Sequence, residues 1–132
     1  MSKRILVIED NHIHRLLTED FFSHKGYMVK GLADGCSFLS TLAKFQPDLI
    51  VLDLRLPVVD GFTLLEQLNQ SSWRKTPVII VSAYSFEAEK QKAKSFGVSH
   101  YFTKPVSLEV LEQCVACSFV DPTLPPAEPP VD

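Results

Sequence analysis

Three unbroken aliphatic runs, Ile5-Leu6-Val7-Ile8, Leu49-Ile50-Val51-Leu52 and Val78-Ile79-Ile80-Val81, most narrow what this chain can become. A strand with no polar face must be covered on both sides, which is the situation of central strands in parallel sheets. Each run is too short for a buried helix. Weaker strand candidates lie at Tyr27 to Lys30 and His100 to Phe102, and helix-period segments alternate with strands from end to end. The alternation predicts an α/β fold, a parallel sheet of five strands with helices on both faces.

Asn11 is placed to cap the first helix, whose apolar positions Ile13, Leu16, Leu17 and Phe21 follow the i, i+3, i+4, i+8 rule, and Gly26 ends it. The second is expected from about Cys36 to Phe45 with Phe38, Leu39 and Leu42 inward, before Pro47. The third starts after Asp60-Gly61 and buries some of Phe62, Leu64, Leu65 and Leu68. Ser85 is read as the cap of the fourth, where Glu87, Glu89, Lys90, Lys92 and Lys94 form a solvated face and Gly97 closes it. The fifth, about Ser107 to Phe119, sets Leu108, Leu111 and Val115 on one stripe. Residues 1–119 thus form the folded unit. Residues 120–132 hold Pro122, Pro125, Pro126, Pro129 and Pro130 and are expected to be a disordered tail, although Pro122-x-x-Pro125 also has polyproline-ligand spacing.

A chain of 132 residues with 45% hydrophobic content supports one core. Its net charge of −3 provides no basic footprint, so direct nucleic-acid contact is not expected. Cys36, Cys114 and Cys117 form an odd set in a domain that needs no staples, which suits a reducing cytoplasm. Cys114-x-x-Cys117 lacks a second ligand pair and reads as small residues on a helix face. The sequence shows neither a membrane-length apolar stretch nor a signal-peptide core, so the reading is a cytoplasmic protein with no membrane partner.

Polar residues gather where the strands end. Glu9 and Asp10 follow the first run, Asp53 the third strand, Ser82 the fourth and Lys104 the fifth. Ligands of open α/β sheets bind at that carboxyl edge. Three carboxylates brought together repel unless a pKa rises or a cation binds, and a hard divalent ion such as Mg²⁺ suits an all-oxygen half-shell. Phosphoryl transfer needs an oxygen nucleophile, Mg²⁺, a cation and a hydroxyl donor, and this set supplies them. Singly, Asp10 and Asp60 also suit helix caps, Ser82 a turn, Tyr101 a core ring and Lys104 a surface charge. Jointly they favour the phosphoryl site.

Glu9-Asp10, Asp53-Leu-Arg-Leu-Pro57 with Asp60-Gly61, Ser82-Ala83 and Lys104-Pro105, in that order and at those intervals, resemble the receiver domain of bacterial two-component response regulators over roughly residues 3 to 119. The resemblance implies the flavodoxin-like, doubly wound (βα)5 fold with strand order 2-1-3-4-5. It implies Asp53 as phosphoacceptor, Asp10 and Asp53 as direct Mg²⁺ carboxylates, Glu9 acting through metal-bound water, and the Arg55 backbone carbonyl as a further ligand. Lys104 would pair with the phosphoryl group, Ser82 would bond to it, and Tyr101 would be the switch aromatic. The Lys104-Pro105 bond is a cis-peptide candidate.

The implied partners are a histidine kinase or histidine phosphotransfer protein as donor, and a protein target that reads the fourth helix, fifth strand and fifth helix. A chain of this kind accepts a phosphoryl group and sheds it by hydrolysis, without being an enzyme in the ordinary sense. Departures exist: Val106-Ser107 stands where many members carry Phe-Asp, and Ser99-His100 with a fifth helix free of Arg and Lys does not reproduce a common dimerisation pattern. The rival readings are the receiver fragment of a larger DNA-binding regulator and an aspartyl-phosphate phosphatase. The latter class wants an acid two residues after its nucleophile, where this chain has Arg55. His12 and His14 point to different faces and read as surface residues.

Overall fold

The computed structural model describes residues 2–119. The proline-rich segment, with its expected disorder and its Pro122-x-x-Pro125 spacing, lies outside the described residues. Strands and helices alternate as β1 (Arg4–Ile8), α1 (His12–His24), β2 (Met28–Leu32), α2 (Phe38–Phe45), β3 (Leu49–Leu52), α3 (Gly61–Asn69), β4 (Val78–Ser82), α4 (Glu87–Ser95), β5 (His100–Thr103) and α5 (Leu108–Ser118). The five strands are parallel, in the order β2-β1-β3-β4-β5. Among the described residues no helix is long and apolar enough to cross a membrane.

Side chains alternate across a strand, so each apolar run feeds two cores. Leu6, Ile8, Ile50, Leu52, Val78 and Ile80 face α2, α3 and α4, meeting Phe38, Leu42, Leu64, Leu65, Leu68 and Ala93. Ile5, Val7, Leu49, Val51 and Ile79 face the other way, under Phe22 of α1 and Leu111 and Val115 of α5. At the base of this second core, Phe22 meets the rings of Phe21 and Tyr27 edge-on.

The helix starts show what local signals can and cannot fix. Asn11, Asp60 and Ser107 each accept a backbone N–H in the first turn of α1, α3 and α5. Ser85 does not cap α4. Tyr84 is held on both sides, its N–H by Ser82 Oγ at 3.2 Å and its carbonyl by the Tyr101 hydroxyl at 2.8 Å. The chain stays extended through Phe86, and α4 begins at Glu87 without a side-chain cap. Likewise, Asp34 Oδ1 takes the Cys36 N–H, a turn follows, and α2 begins at Phe38.

With that start, the inward positions of α2 are Phe38, Thr41 and Leu42, while Leu39 is 45% exposed against the inward orientation expected. The apolar stripe of α1 is also not its buried face: Ile13 is 61%, Leu16 42% and Leu17 55% exposed, and Phe22 takes the core position. Strand β2 sits one to two residues later than the Tyr27 to Lys30 reading because Arg4 registers with Met28 and Tyr27 joins the aromatic cluster. The fourth and fifth strands each gain a residue where Ser82 pairs with Thr103. Of α4, Ala93 is buried and Glu87, Lys92 and Lys94 face solvent, whereas Glu89 and Lys90, read as part of the solvated face, are half-buried, with Glu89 Oε2 turned inward.

Candidate functional site

The register of the parallel sheet assembles the site. Ile8 pairs with Leu52, so the next residues, Glu9 and Asp53, leave neighbouring strands side by side. The ladder runs one step further, with the Asp53 N–H donating to the Ile8 carbonyl at 3.0 Å and the Glu9 N–H to the Leu32 carbonyl at 3.0 Å. Ser82 pairs with Thr103, and the Lys104 N–H donates to the Ser82 carbonyl at 2.8 Å. The Lys104-Pro105 peptide bond is cis.

Lys104 Nζ donates to Glu9 Oε1 at 2.5 Å and to Asp53 Oδ2 at 2.9 Å. Asp53 Oδ1 takes the Arg55 N–H at 2.9 Å, and Glu9 Oε2 takes the Asn11 N–H at 3.3 Å. Glu9 and Asp53 are buried, whereas Asp10 is exposed, and the three carboxylates each offer an oxygen within 4.8 Å of the others. Above them is an open hollow of about 610 Å³ whose rim includes Arg55, Asp60, Ala83 and Tyr84.

Burial raises the Glu9 carboxyl above its usual range. The bond from Lys104 works against that rise, and the neighbouring Asp53 adds to it. Burial pulls Lys104 down, but its bonds to Glu9 and Asp53 outweigh that effect and hold the ammonium above the ordinary lysine value. One ammonium therefore serves two buried carboxylates. Hard oxygen donors carrying excess negative charge are what Mg²⁺ requires, so the donor set fits that ion.

Ser82 is fully buried, and its hydroxyl accepts the Tyr84 N–H. The Tyr101 ring lies on the α2–α3–α4 side of the sheet, its hydroxyl bonded to the Tyr84 carbonyl. Burial, together with the Glu89 and Asp53 charges, pushes the Tyr101 phenol up despite the nearby Ser82 hydroxyl. The Arg55 guanidinium stands over the Tyr84 ring at 5.3 Å from its centroid, next to the mouth of the hollow.

The connection from Asp53 to α3 is pinned at both ends. Gly61 donates its N–H to the Leu54 carbonyl at 3.0 Å, and a Cβ there would stand 2.6 Å from Leu54 Cα and 2.8 Å from the Asp53 carbonyl oxygen. No side chain fits. In between, the Val59 N–H reaches the Pro57 carbonyl at 2.7 Å, closing a three-residue turn around Val58 at φ 69°. A β-branched residue rarely adopts that conformation.

Two contributors escaped the reading of the sequence. Arg15, one turn into α1, donates Nη1 to the Glu9 carbonyl at 2.8 Å and is steadied by His12 Nδ1 at 2.9 Å. Gly31 makes room for it, since a Cβ there would collide with Glu19 Oε1 and sit 3.2 Å from Arg15 Cδ. A lone Arg on a helix and a Gly in an edge strand carry no local sign of such a contact. His14 is exposed, as expected, but its Nδ1 lies 3.8 Å from Glu9 Oε1.

Comparison with known proteins agrees with this geometry. The model of the response regulator receiver domain matches residues 5–116. Sensor histidine kinase RcsC of Salmonella typhimurium is 35% identical over 112 residues, covering 85% of this chain and 12% of that protein. The chain thus spans about an eighth of that relative. Sporulation initiation phosphotransferase F of Bacillus subtilis is 30% identical over 115 residues, covering 87% of this chain and 92% of that protein. Among solved structures, the receiver domain of sensor histidine kinase PA1611 from Pseudomonas aeruginosa PAO1, with a magnesium ion coordinated in its active site cleft, superposes with TM-score 0.80 at 25% identity, covering 89% of this chain and 97% of that one. Fold, strand order and sequence together place the chain in the family of two-component response regulator receiver domains.

Proposed function

We propose that residues 1–119 act as a phosphoacceptor switch in a two-component relay, with Asp53 taking a phosphoryl group from a phosphohistidine of a kinase or phosphotransfer protein. The observation that carries this reading is Lys104 Nζ bonded at once to Asp53 Oδ2 and Glu9 Oε1 beneath an open hollow. An Asp53 carboxylate oxygen attacks phosphorus, the P–N bond breaks, and the imidazole keeps the electron pair and takes up a proton. Lys104 is already in place to meet the incoming phosphoryl oxygens, and the Arg55 N–H orients the nucleophile.

Asp10, Asp53 and the Arg55 carbonyl would hold Mg²⁺, with Glu9 acting through a bound water. The ion supplies charge neutralisation for the arriving phosphoryl group. Ser82 and Tyr101 both bond to Tyr84, just ahead of α4, so a pull on the Ser82 hydroxyl has a direct path to that helix. The α4–β5–α5 surface is the proposed readout for a protein target.

Incubation with acetyl phosphate and Mg²⁺ should add one base-labile phosphoryl group by intact mass, and Asp53→Asn should abolish it. A modification that survives in the Asp53 variant, or no modification of the wild type, overturns the reading.

A further inference from the structure

Beside the acid cluster, between α1 and the start of α5, lies a second hollow of about 270 Å³. Its floor is Val7, Val51 and Val81, and its walls are Leu17 of α1 and Leu108 of α5. Val7 and Val51 are buried, yet Leu17 stays 55% exposed, so the two helices do not close over the sheet here. Folding has left an apolar trough open to solvent. Its inner end is different in kind, because Glu9, Asp53 and Lys104 also line it. There two carboxylates share one ammonium, and His14 and the exposed Asp10, whose carboxylate lies within 4.8 Å of both, are the other titratable groups nearby.

We infer that this cleft binds a small amphipathic amine, its apolar body on Val51, Val81 and Leu17 and its ammonium on the Glu9 and Asp53 carboxylates. Size follows from volume. A cavity of about 150 Å³ holds benzene, so this one admits roughly ten carbons. Charge selects the head group: an anion would join two carboxylates that share a single ammonium, whereas a second ammonium balances their charge and donates hydrogen bonds to them. The occupied cleft places a cation on Asp53 from the side opposite Arg55 and Tyr84, and so holds back phosphoryl acceptance. The binding goes beyond the phosphoacceptor reading and does not depend on it. The inhibition rests on that reading.

The test titrates 1-naphthylmethylamine, 1-naphthylmethanol and 1-naphthoate into the full chain carrying ¹³C-labelled methyl groups. The amine should shift the methyls of Leu17, Val51, Val81 and Leu108 saturably and bind about tenfold tighter than the alcohol, the ratio expected for one charge-assisted hydrogen bond. The naphthoate should leave them unmoved. Thr18→Phe fills the cleft from its helix wall and Val81→Phe from its floor, and each should remove the shifts. An alcohol that binds as well as the amine, shifts that survive both fillings, or no shift at all overturns the site.

Acetyl phosphate labelling should slow in the presence of the amine and not of the alcohol. Wild type that fails to label without any ligand counts against Asp53 as acceptor and leaves the methyl result standing. Normal labelling that a saturating amine does not slow overturns the inhibition.

Discussion

The two faces of the sheet are finished differently. On one, three helices seal Leu6, Ile8, Ile50, Leu52, Val78 and Ile80. On the other, two helices cover the lower half around Phe22, Leu111 and Val115 but part toward the carboxyl edge, leaving Leu17 exposed above Val51. The first arrangement maximises burial, the second leaves apolar surface and buried charge accessible beside each other. The α2–α3–α4 side is closed along the length of the strands, whereas the α1–α5 side is closed only below and leaves an apolar opening beside the acid cluster.

The contrast breaks most directly through leucines. Leu42 of α2, fully buried against the sheet, should cost about 2–5 kcal/mol as Leu42→Ala. Leu17→Ala, on the open side, should stay within about 0.5 kcal/mol. Urea denaturation of both variants decides, and equal losses would mean that the open face carries as much of the fold as the sealed one.

A smaller effect tests how the mouth itself is covered. Arg55 over Tyr84 screens Asp53 on the sealed side. Arg55→Ala combined with Tyr84→Ala should let in-line water reach the phosphoryl group and speed decay of the phosphoform severalfold, or about 1 kcal/mol in the barrier. Following phosphoform loss by intact mass checks it, and unchanged decay would assign no protection to that pair.

The smallest effect concerns Glu9, which sits where the two faces meet. Burial holds its carboxyl above the unfolded value of 4.5, so the folded state takes up the proton more readily. Stability from this group is fully present below the unfolded pKa and is lost as pH rises through the folded one. In Mg²⁺-free buffer, Glu9→Gln should therefore gain on wild type as pH climbs from below 4.5. A difference that is flat with pH would contradict the direction of the shift.

The central strands were legible because nothing but a doubly covered strand accommodates Leu49-Ile50-Val51-Leu52. The caps Asn11 and Asp60 were legible because capping is settled within three residues. Ser85 misled for the opposite reason: the start of α4 is decided by Tyr101, far along the chain, through its bond to the Tyr84 carbonyl. Leu39 and the α1 stripe misled because periodicity reports a face without saying that anything covers it. The meeting of Glu9 and Asp53 could be anticipated from where their strands end. The reach of Arg15 over Gly31 to the Glu9 carbonyl could not, since it needs the lateral order of strands and an empty Cβ position.

The Asp53-to-α3 connection has one more implication. Gly61 fixes where it must arrive, against the backbone of Asp53 and Leu54, and Val58 at φ 69° takes up the slack in between. The number of residues in this stretch is therefore constrained more tightly than their identity. A swap such as Val58→Gly only eases a dihedral, but removing one residue would draw the amino end of α3 off its seat and tilt the strand end that carries the acceptor. In mechanical terms the stretch is a spacer of set length, whose gauge matters to the site more than the chemistry of its middle residue.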